Sequence, residues 1–483
     1  MPFPVKTKHL VLLYLFTLLF LGLGFYFMIK KETLWFFVLP LVIIVAYYYV
    51  VSLDKVVLFI TFFTPLAITL KDANIGAALS LPTEPLMFGV VIVFLGNLLL
   101  ERNYNRRLAV HPLSVLIYLS LLWMLVTSFT SELPLVSFKH LLSRIWFVIP
   151  FYFVAAPMFR NKKNIHWFLW LYMAALSIVI VYTLARHAAH GFDEDSGHWV
   201  MSPFYNDHTA YGAALALYLP VLAGYLFYPG LSFYKKLAIV PFFVLYVVAV
   251  IFSYTRAAWL GIGVAFVVLV IMLLRIRFRW VMAGLAVLVA LGFLFYQPIM
   301  DRMEKNRQDS STNMEQHVQS MTNISSDASN LERLNRWASA FRMFEKRPWT
   351  GWGPGTYQFV YAPFQLASER TVISTNLGDR GTAHSEYLGP LSEEGVLGML
   401  LVLALFGYSL YLGISLYSRS TDRENKLLSL VITLGLVTYY VHGFLNNFLD
   451  TDKLSVPVWG FMAILVALEI YHGGTSGKRV AQK

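Results

Sequence analysis

Apolar runs of about 15–20 residues fill most of this chain, divided by short polar breaks. They predict spans at 10–28, 34–52, 56–70, 85–100, 113–129, 143–159, 165–185, 211–228, 237–254, 257–275, 280–297, 396–416, 426–445 and 456–471. The count is about 12–14 transmembrane helices, the lower figure allowing for short runs and a re-entrant 56–70. Runs such as Val264–Leu274 show no alternation of apolar and polar positions, so a β-barrel is excluded. Helices satisfy their own backbone groups in lipid, and the expected class is an all-α polytopic membrane protein.

One polar stretch interrupts the pattern, from Pro298 to Gly395. It is too long for an ordinary connection and reads as a loop domain. The expected organisation is N-terminal transmembrane helices over 1–200, a second helical group over 201–297, the loop domain over 298–395 and C-terminal helices over 396–483. Inside the loop domain the period changes. Leu334, Trp337, Phe341 and Phe344 recur at helical spacing. That predicts an interfacial amphipathic helix over Leu331–Lys346, with Arg333, Arg336 and Arg342 on its other faces.

Composition agrees with the pattern. The chain has 483 residues, 58% hydrophobic and 13% charged, about half the charge of a soluble protein. A net charge of +11 would raise nucleic acid as a partner in a soluble protein. Here its placement favours topology and lipid contact, and no nucleic acid is expected. Of 38 Lys and Arg, 20 fall in alternate short loops together with both termini. The positive-inside rule places those loops and termini inside and the loop domain outside. There are no cysteines, so nothing depends on a disulfide. Lys6 and Lys8 precede an apolar run too long for a signal-peptide core, and a retained first span is expected.

Four polar elements carry candidate chemistry. From Leu237 to Leu274 the chain is apolar for 38 residues except at Ser253-Tyr254-Thr255-Arg256. As one helix this would measure about 57 Å, nearly twice the bilayer core, so it must be two spans with Arg256 at the turn. An arginine there marks a functional site or a snorkelling anchor. Three glycines and two prolines between Pro348 and Gly355 make a rigid turn, read as a chain reversal ahead of an anion cradle. His384 follows Thr382, a candidate N-cap, and would lie in a first helical turn, where the helix dipole keeps imidazole neutral. The segments Pro203–His208 and His442–Lys453 are polar at span edges and can complete a pocket. There is no Walker A loop and no zinc-spaced histidine cluster. Asp193-Glu194-Asp195 and Asp450-Thr451-Asp452 are short acidic groups, and neither metal nor cofactor is expected.

In order, these segments resemble the O-antigen ligase and polymerase family of bacterial envelope proteins. Ser253-Tyr254-Thr255-Arg256-Ala257-Ala258-Trp259-Leu260-Gly261 is similar to the family's Ser-x-Ser/Thr-Arg-x-Ala-x-Leu-Gly. Arg333–Trp337 with Gly351, Gly353 and Gly355 resembles its Arg-x-x-x-Trp helix and glycine turn. Ala383-His384-Ser385-Glu386-Tyr387-Leu388 resembles its Ala-His-Asn-x-Tyr-Leu, with Ser385 where asparagine is usual. The resemblance runs from about Ser202 to Tyr471.

It implies a glycosyltransferase type C-like membrane enzyme of the bacterial inner membrane, working on the periplasmic face without a metal. The donor would be a polyprenyl-diphosphate-linked glycan. The acceptor would be a hydroxyl of lipid A core oligosaccharide, of a growing glycan in a repeat-unit polymerase, or of a protein in an O-oligosaccharyltransferase. Arg256 and Arg333 match the diphosphate-holding arginines, and His384 matches the base. Arg336, Tyr387, Asp207, His208, His442 and Asp450 are further pocket candidates. Guanidinium groups suit a diphosphate because they are forked and stay charged. The non-enzyme alternative is a lipid-linked sugar flippase, which would spread charges through the spans and show internal repeats.

Overall fold

The apolar runs form helices in the computed structural model of the protein, which describes residues 22, 30, 43–45, 47–49, 51–72, 77–100, 105–295, 316–371, 374 and 381–473. The chain divides into two units, residues 1–56 and 57–483. In the first unit, the expected span 10–28 lies outside the described residues except Gly22. The described residues of 34–51 are helical.

Helix α1 (Leu53–Phe63) is short. Pro65 follows it and cannot continue a helix. The chain turns there and forms the hairpin β1 (Ile68–Asp72) and β2 (Ala77–Leu81), antiparallel with Ile68 opposite Leu81. The expected span 56–70 is therefore corrected to a helix end and a strand. The Lys453 ammonium fastens the turn by donating to the carbonyls of Thr64 and Ala67, both at 2.6 Å.

The helices that follow are α2 (Thr83–Leu100), α3 (Pro112–Phe129), α4 (Pro134–Val148), α5 (Lys162–Ala188), α6 (His208–Leu226), α7 (Phe233–Phe252), α8 (Arg256–Leu273) and α9 (Phe278–Leu294). After the loop-domain helix α10 (Gln316–Lys346) come α11 (Leu388–Arg419), α12 (Arg423–His442) and α13 (Asp452–His472). A π turn at Ile149–Val154, containing Pro150, carries α4 on to Met158. Among the described residues, nine helical stretches are long and apolar enough to cross a membrane. The protein is thus an all-α polytopic membrane protein with one small hairpin.

The core lies around α6, α12 and α13, whose residues are mostly buried. Small residues let their backbones meet. A Cβ at Gly435 would come within 2.7 Å of the Leu217 carbonyl oxygen, and one at Gly261 within 2.7 Å of that of Thr438. Helices α6, α8 and α11 thus pack on α12 from several sides.

Hydrogen bonds gather the helix ends into two groups. At one end Thr255 Oγ1 donates to the His208 carbonyl at 3.0 Å, Glu386 N to that of Gly443 at 2.7 Å and Glu132 N to that of Trp352 at 3.0 Å. At the other, Lys162 pairs with Asp422 at 2.8 Å and His472 Nε2 meets the Phe159 carbonyl at 3.0 Å. The loop domain belongs to the first group. Arg160, Lys162, Lys163, Arg419 and Arg423 belong to the second.

Candidate active site

The turn carrying Arg256 is fixed by its neighbours in sequence. Helix α7 closes with Ser253 Oγ donating to the Val250 carbonyl at 2.8 Å. Tyr254 takes a left-handed φ of 49° and donates through its hydroxyl to the Phe192 carbonyl at 2.7 Å. Thr255 presses on Gly212 of α6, where a Cβ would lie 2.6 Å from Thr255 Cβ. Arg256 is the first residue of α8, and its side chain is exposed. The long apolar run is two helices with the arginine at their turn, as its length requires.

Asp207 caps α6 next to this turn. It accepts from Thr209 N at 2.9 Å, and His208 Nδ1 lies 3.1 Å from its carboxylate. Burial works to raise the Asp207 carboxyl. The hydrogen bond and charge of His208, with both donors of Thr209, outweigh burial and hold it below its ordinary range.

Helix α10 extends further toward the N-terminus than expected. Among its described side chains, Glu332, Asn335, Arg336, Ser339, Ala340 and Met343 are buried, while Phe341 is exposed. Ala340 and Met343 pack on Tyr357 and Tyr361 of the following loop. The expected apolar face, Leu334-Trp337-Phe341-Phe344, is therefore the less buried one. Two of the three arginines bond within the loop domain itself. Arg336 donates Nε to Glu332 Oε1 at 2.9 Å and Nη1 to the Thr382 carbonyl at 3.3 Å, and lies 4.9 Å over the Tyr361 ring. Arg342 pairs with Glu369. Arg333 is half-buried. Burial and the Arg256 charge press on its guanidinium, and Asp207 supports it. The net shift is downward from an ordinary value so high that the group stays charged.

His384 stands four residues before α11, at a left-handed φ of 48°, and is half-buried. Thr382 is not the helix cap expected. Its hydroxyl accepts from His384 N at 3.3 Å, whereas Ser385 Oγ accepts from Tyr387 N and Leu388 N, both at 3.3 Å. Burial, then the charges of Arg336 and Arg333, pull the imidazole down to about 4, and Asp207 and Glu332 oppose them. The neutral imidazole thus owes little to a helix dipole. It owes most to desolvation and the arginines of α10. Arg256, Arg333, Asp207 and His384 are joined by these charge interactions. His442, buried at the end of α12, lies within reach of Asp207, Arg333 and His208.

Two pocket candidates bond to other groups. Tyr387 spends its hydroxyl on the Tyr440 carbonyl at 2.9 Å and stacks on Phe444 at 4.3 Å. Asp450 pairs with Arg144 at 2.9 Å and lies 3.7 Å from His140. The glycine turn is a structural wedge. Gly353 N donates to the Glu393 carbonyl at 2.7 Å, Trp352 N to that of Ser392 at 3.1 Å and Tyr357 N to Glu393 Oε1 at 2.8 Å. Those amides are taken by protein acceptors, which favours chain reversal over an anion cradle. Glu386 has a role that its place in the sequence does not announce. Its Oε1 accepts from Tyr439 Oη at 2.5 Å, Phe448 N at 2.8 Å and Leu449 N at 2.9 Å, tying the His384 loop to the loop after α12. Among the described residues, no group of three or more His, Asp or Glu is placed to hold a metal ion.

The family model described as O-Antigen ligase matches residues 241–403. The match starts within α7 and ends within α11, so it takes in Arg256, Arg333 and His384. No curated protein gives a significant match to the chain.

Proposed function

We propose that this protein, a member of the O-antigen ligase/polymerase family by its residues 241–403, is a ligase that moves a glycan from a polyprenyl-diphosphate carrier to a hydroxyl of lipid A core oligosaccharide. The observation that carries this reading is the fastening of the Arg256 turn to the Asp207–His208 cap, through Thr255 Oγ1 and the His208 carbonyl at 3.0 Å, with Arg333 and His384 near enough for their charges to act on this group. Arg256 and Arg333 hold the two phosphates, with the lipid tail along the outer helices. His384 accepts the proton of the acceptor hydroxyl. The new bond forms between that oxygen and the anomeric carbon, and the bond from the anomeric carbon to the phosphate oxygen breaks. The electron pair leaves on polyprenyl diphosphate, whose charge the guanidinium groups neutralise. No metal is assigned a step, and EDTA is expected to leave transfer unchanged.

The basic loops at the far end of the bundle support an inside assignment there and a periplasmic site. A gene deletion tests the acceptor. Long glycan left on its lipid carrier, with core oligosaccharide bare, is the expected result. Core oligosaccharide bearing single repeats would replace the ligase reading by a repeat-unit polymerase. Unchanged surface glycan with altered modification of exported proteins would move it to a protein acceptor.

A further inference from the structure

The segment between α5 and α6, residues 189–207, stands beside the Arg256 turn. Tyr254 donates to the Phe192 carbonyl, and a Cβ at Gly197 would meet the Tyr254 ring at 2.6 Å. This segment carries Trp199, a large ring left 45% exposed.

The ring is held rather than loose. Arg186 at the end of α5 lies 5.3 Å from its centroid, and the same guanidinium donates to the carbonyls of Val200, at 3.0 Å, and Ser202. One side chain thus backs the ring and pins the strand of chain that bears it. His190 stands edge-on to Trp199 at 5.0 Å, and its Nδ1 lies 2.9 Å from the Arg186 carbonyl. That contact places a proton on Nδ1 and leaves Nε2 to meet another group. Next to Trp199 in sequence, His198 has its ring 4.3 Å from that of His208, which is paired with Asp207. A fixed, partly exposed aromatic ring with an arginine and a histidine against it suits a ligand with an apolar face and polar edges. A pyranose has that form: axial C–H groups on one face and hydroxyls around the rim.

We propose that Trp199 is the platform of a carbohydrate subsite, with His190 and His198 as hydroxyl partners, which seats a sugar of the glycan near the reacting centre. The proposal rests on the transferase reading for its place in the reaction. Binding itself is measured apart from transfer. A phospholipid tail is the competing occupant, since tryptophan also anchors at membrane interfaces.

The test uses the full chain in nanodiscs. The emission difference between wild type and Trp199→Phe isolates this tryptophan. Repeat units freed from the cells' own surface polysaccharide by mild acid should quench that difference saturably. Brominated phospholipid should not. Quenching by brominated lipid with no response to saccharide overturns the subsite in favour of a membrane anchor. In transfer assays, Trp199→Ala should raise KM about 2- to 12-fold, the range expected for loss of an aromatic contact. Trp199→Phe should recover part of it. The rise falls on the lipid-linked donor if the seated sugar belongs to the donor, and on the acceptor otherwise. Unchanged KM for both substrates overturns the proposal. If the wild-type protein binds saccharide yet transfers none, the subsite stands and the transferase reading fails.

Discussion

At the scale of the residue, His384 sets the pH behaviour of the proposed reaction. Burial and two arginines hold its pKa near 4, below the ordinary 6.5. The group is then neutral, and competent as a base, across the neutral range. For free enzyme and substrate, kcat/KM should be level from about pH 5.5 to 8, where an ordinary histidine would show an inflection. A bound diphosphate brings negative charge next to the ring and stabilises imidazolium, so the acid limb of kcat should lie at higher pH than that of kcat/KM. The reverse order in the two profiles would remove His384 from the base role. His384→Ala should cost about 10²–10⁴-fold in kcat. Arg256→Lys should restore only part of what Arg256→Ala loses, since an ammonium lacks the forked donors. Arg256, Arg333 and His384 can be proposed from the sequence because their chemistry is written in their side chains and in the turns that carry them. Glu386 cannot. Its donors come from Tyr439, Phe448 and Leu449, more than fifty positions away, and no local spacing announces them.

At the scale of the element, α10 shows where periodicity misleads. Leu334, Trp337, Phe341 and Phe344 mark a helix correctly but not its buried side. The loop after α10 folds back with Tyr357 and Tyr361, and these rings pack on Ala340 and Met343, while Ser339 is buried on the same side. Small and polar residues read as a solvent face until the partner that covers them is known. The same docking makes Gly381 decisive. A Cβ at Gly381 would stand 1.3 Å from Arg336 Nη1. Gly381→Ala should displace Arg336 from Glu332 and from the Thr382 carbonyl and loosen the His384 loop. The expected cost is about 1–3 kcal/mol in unfolding free energy and at least about tenfold in transfer. Gly389 has no atom within 4 Å of the Cβ position. Gly389→Ala should stay within about 0.5 kcal/mol of wild type in the same thermal unfolding measurement. Equal behaviour of the two variants would mean that Arg336 does not brace the loop.

At the scale of the whole molecule, hydropathy recovers most of the bundle because lipid leaves the backbone one economical solution, the helix. It fails at 56–70, where Pro65 ends α1 and a hairpin follows, since a proline stop is a backbone effect that an average of apolarity does not register. Direction across the bilayer rests on the basic loops. The site residues and the loop domain share one end of the bundle, and the Arg160 and Arg423 loops share the other. A chain with no cysteine allows this to be measured without background. Single cysteines at the exposed positions Trp349 and Ser202 should react with a membrane-impermeant maleimide in spheroplasts. Cysteines at Gly230 and Thr421 should react only after permeabilisation. Labelling in the opposite sense would put the Arg256–Arg333–His384 group on the cytoplasmic face, out of reach of a carrier-borne glycan already in the outer leaflet. Mixed labelling at both ends would mean that the helices do not alternate as the fold requires. The proposed transfer needs the first pattern, because donor head group, acceptor hydroxyl and base must share one aqueous side.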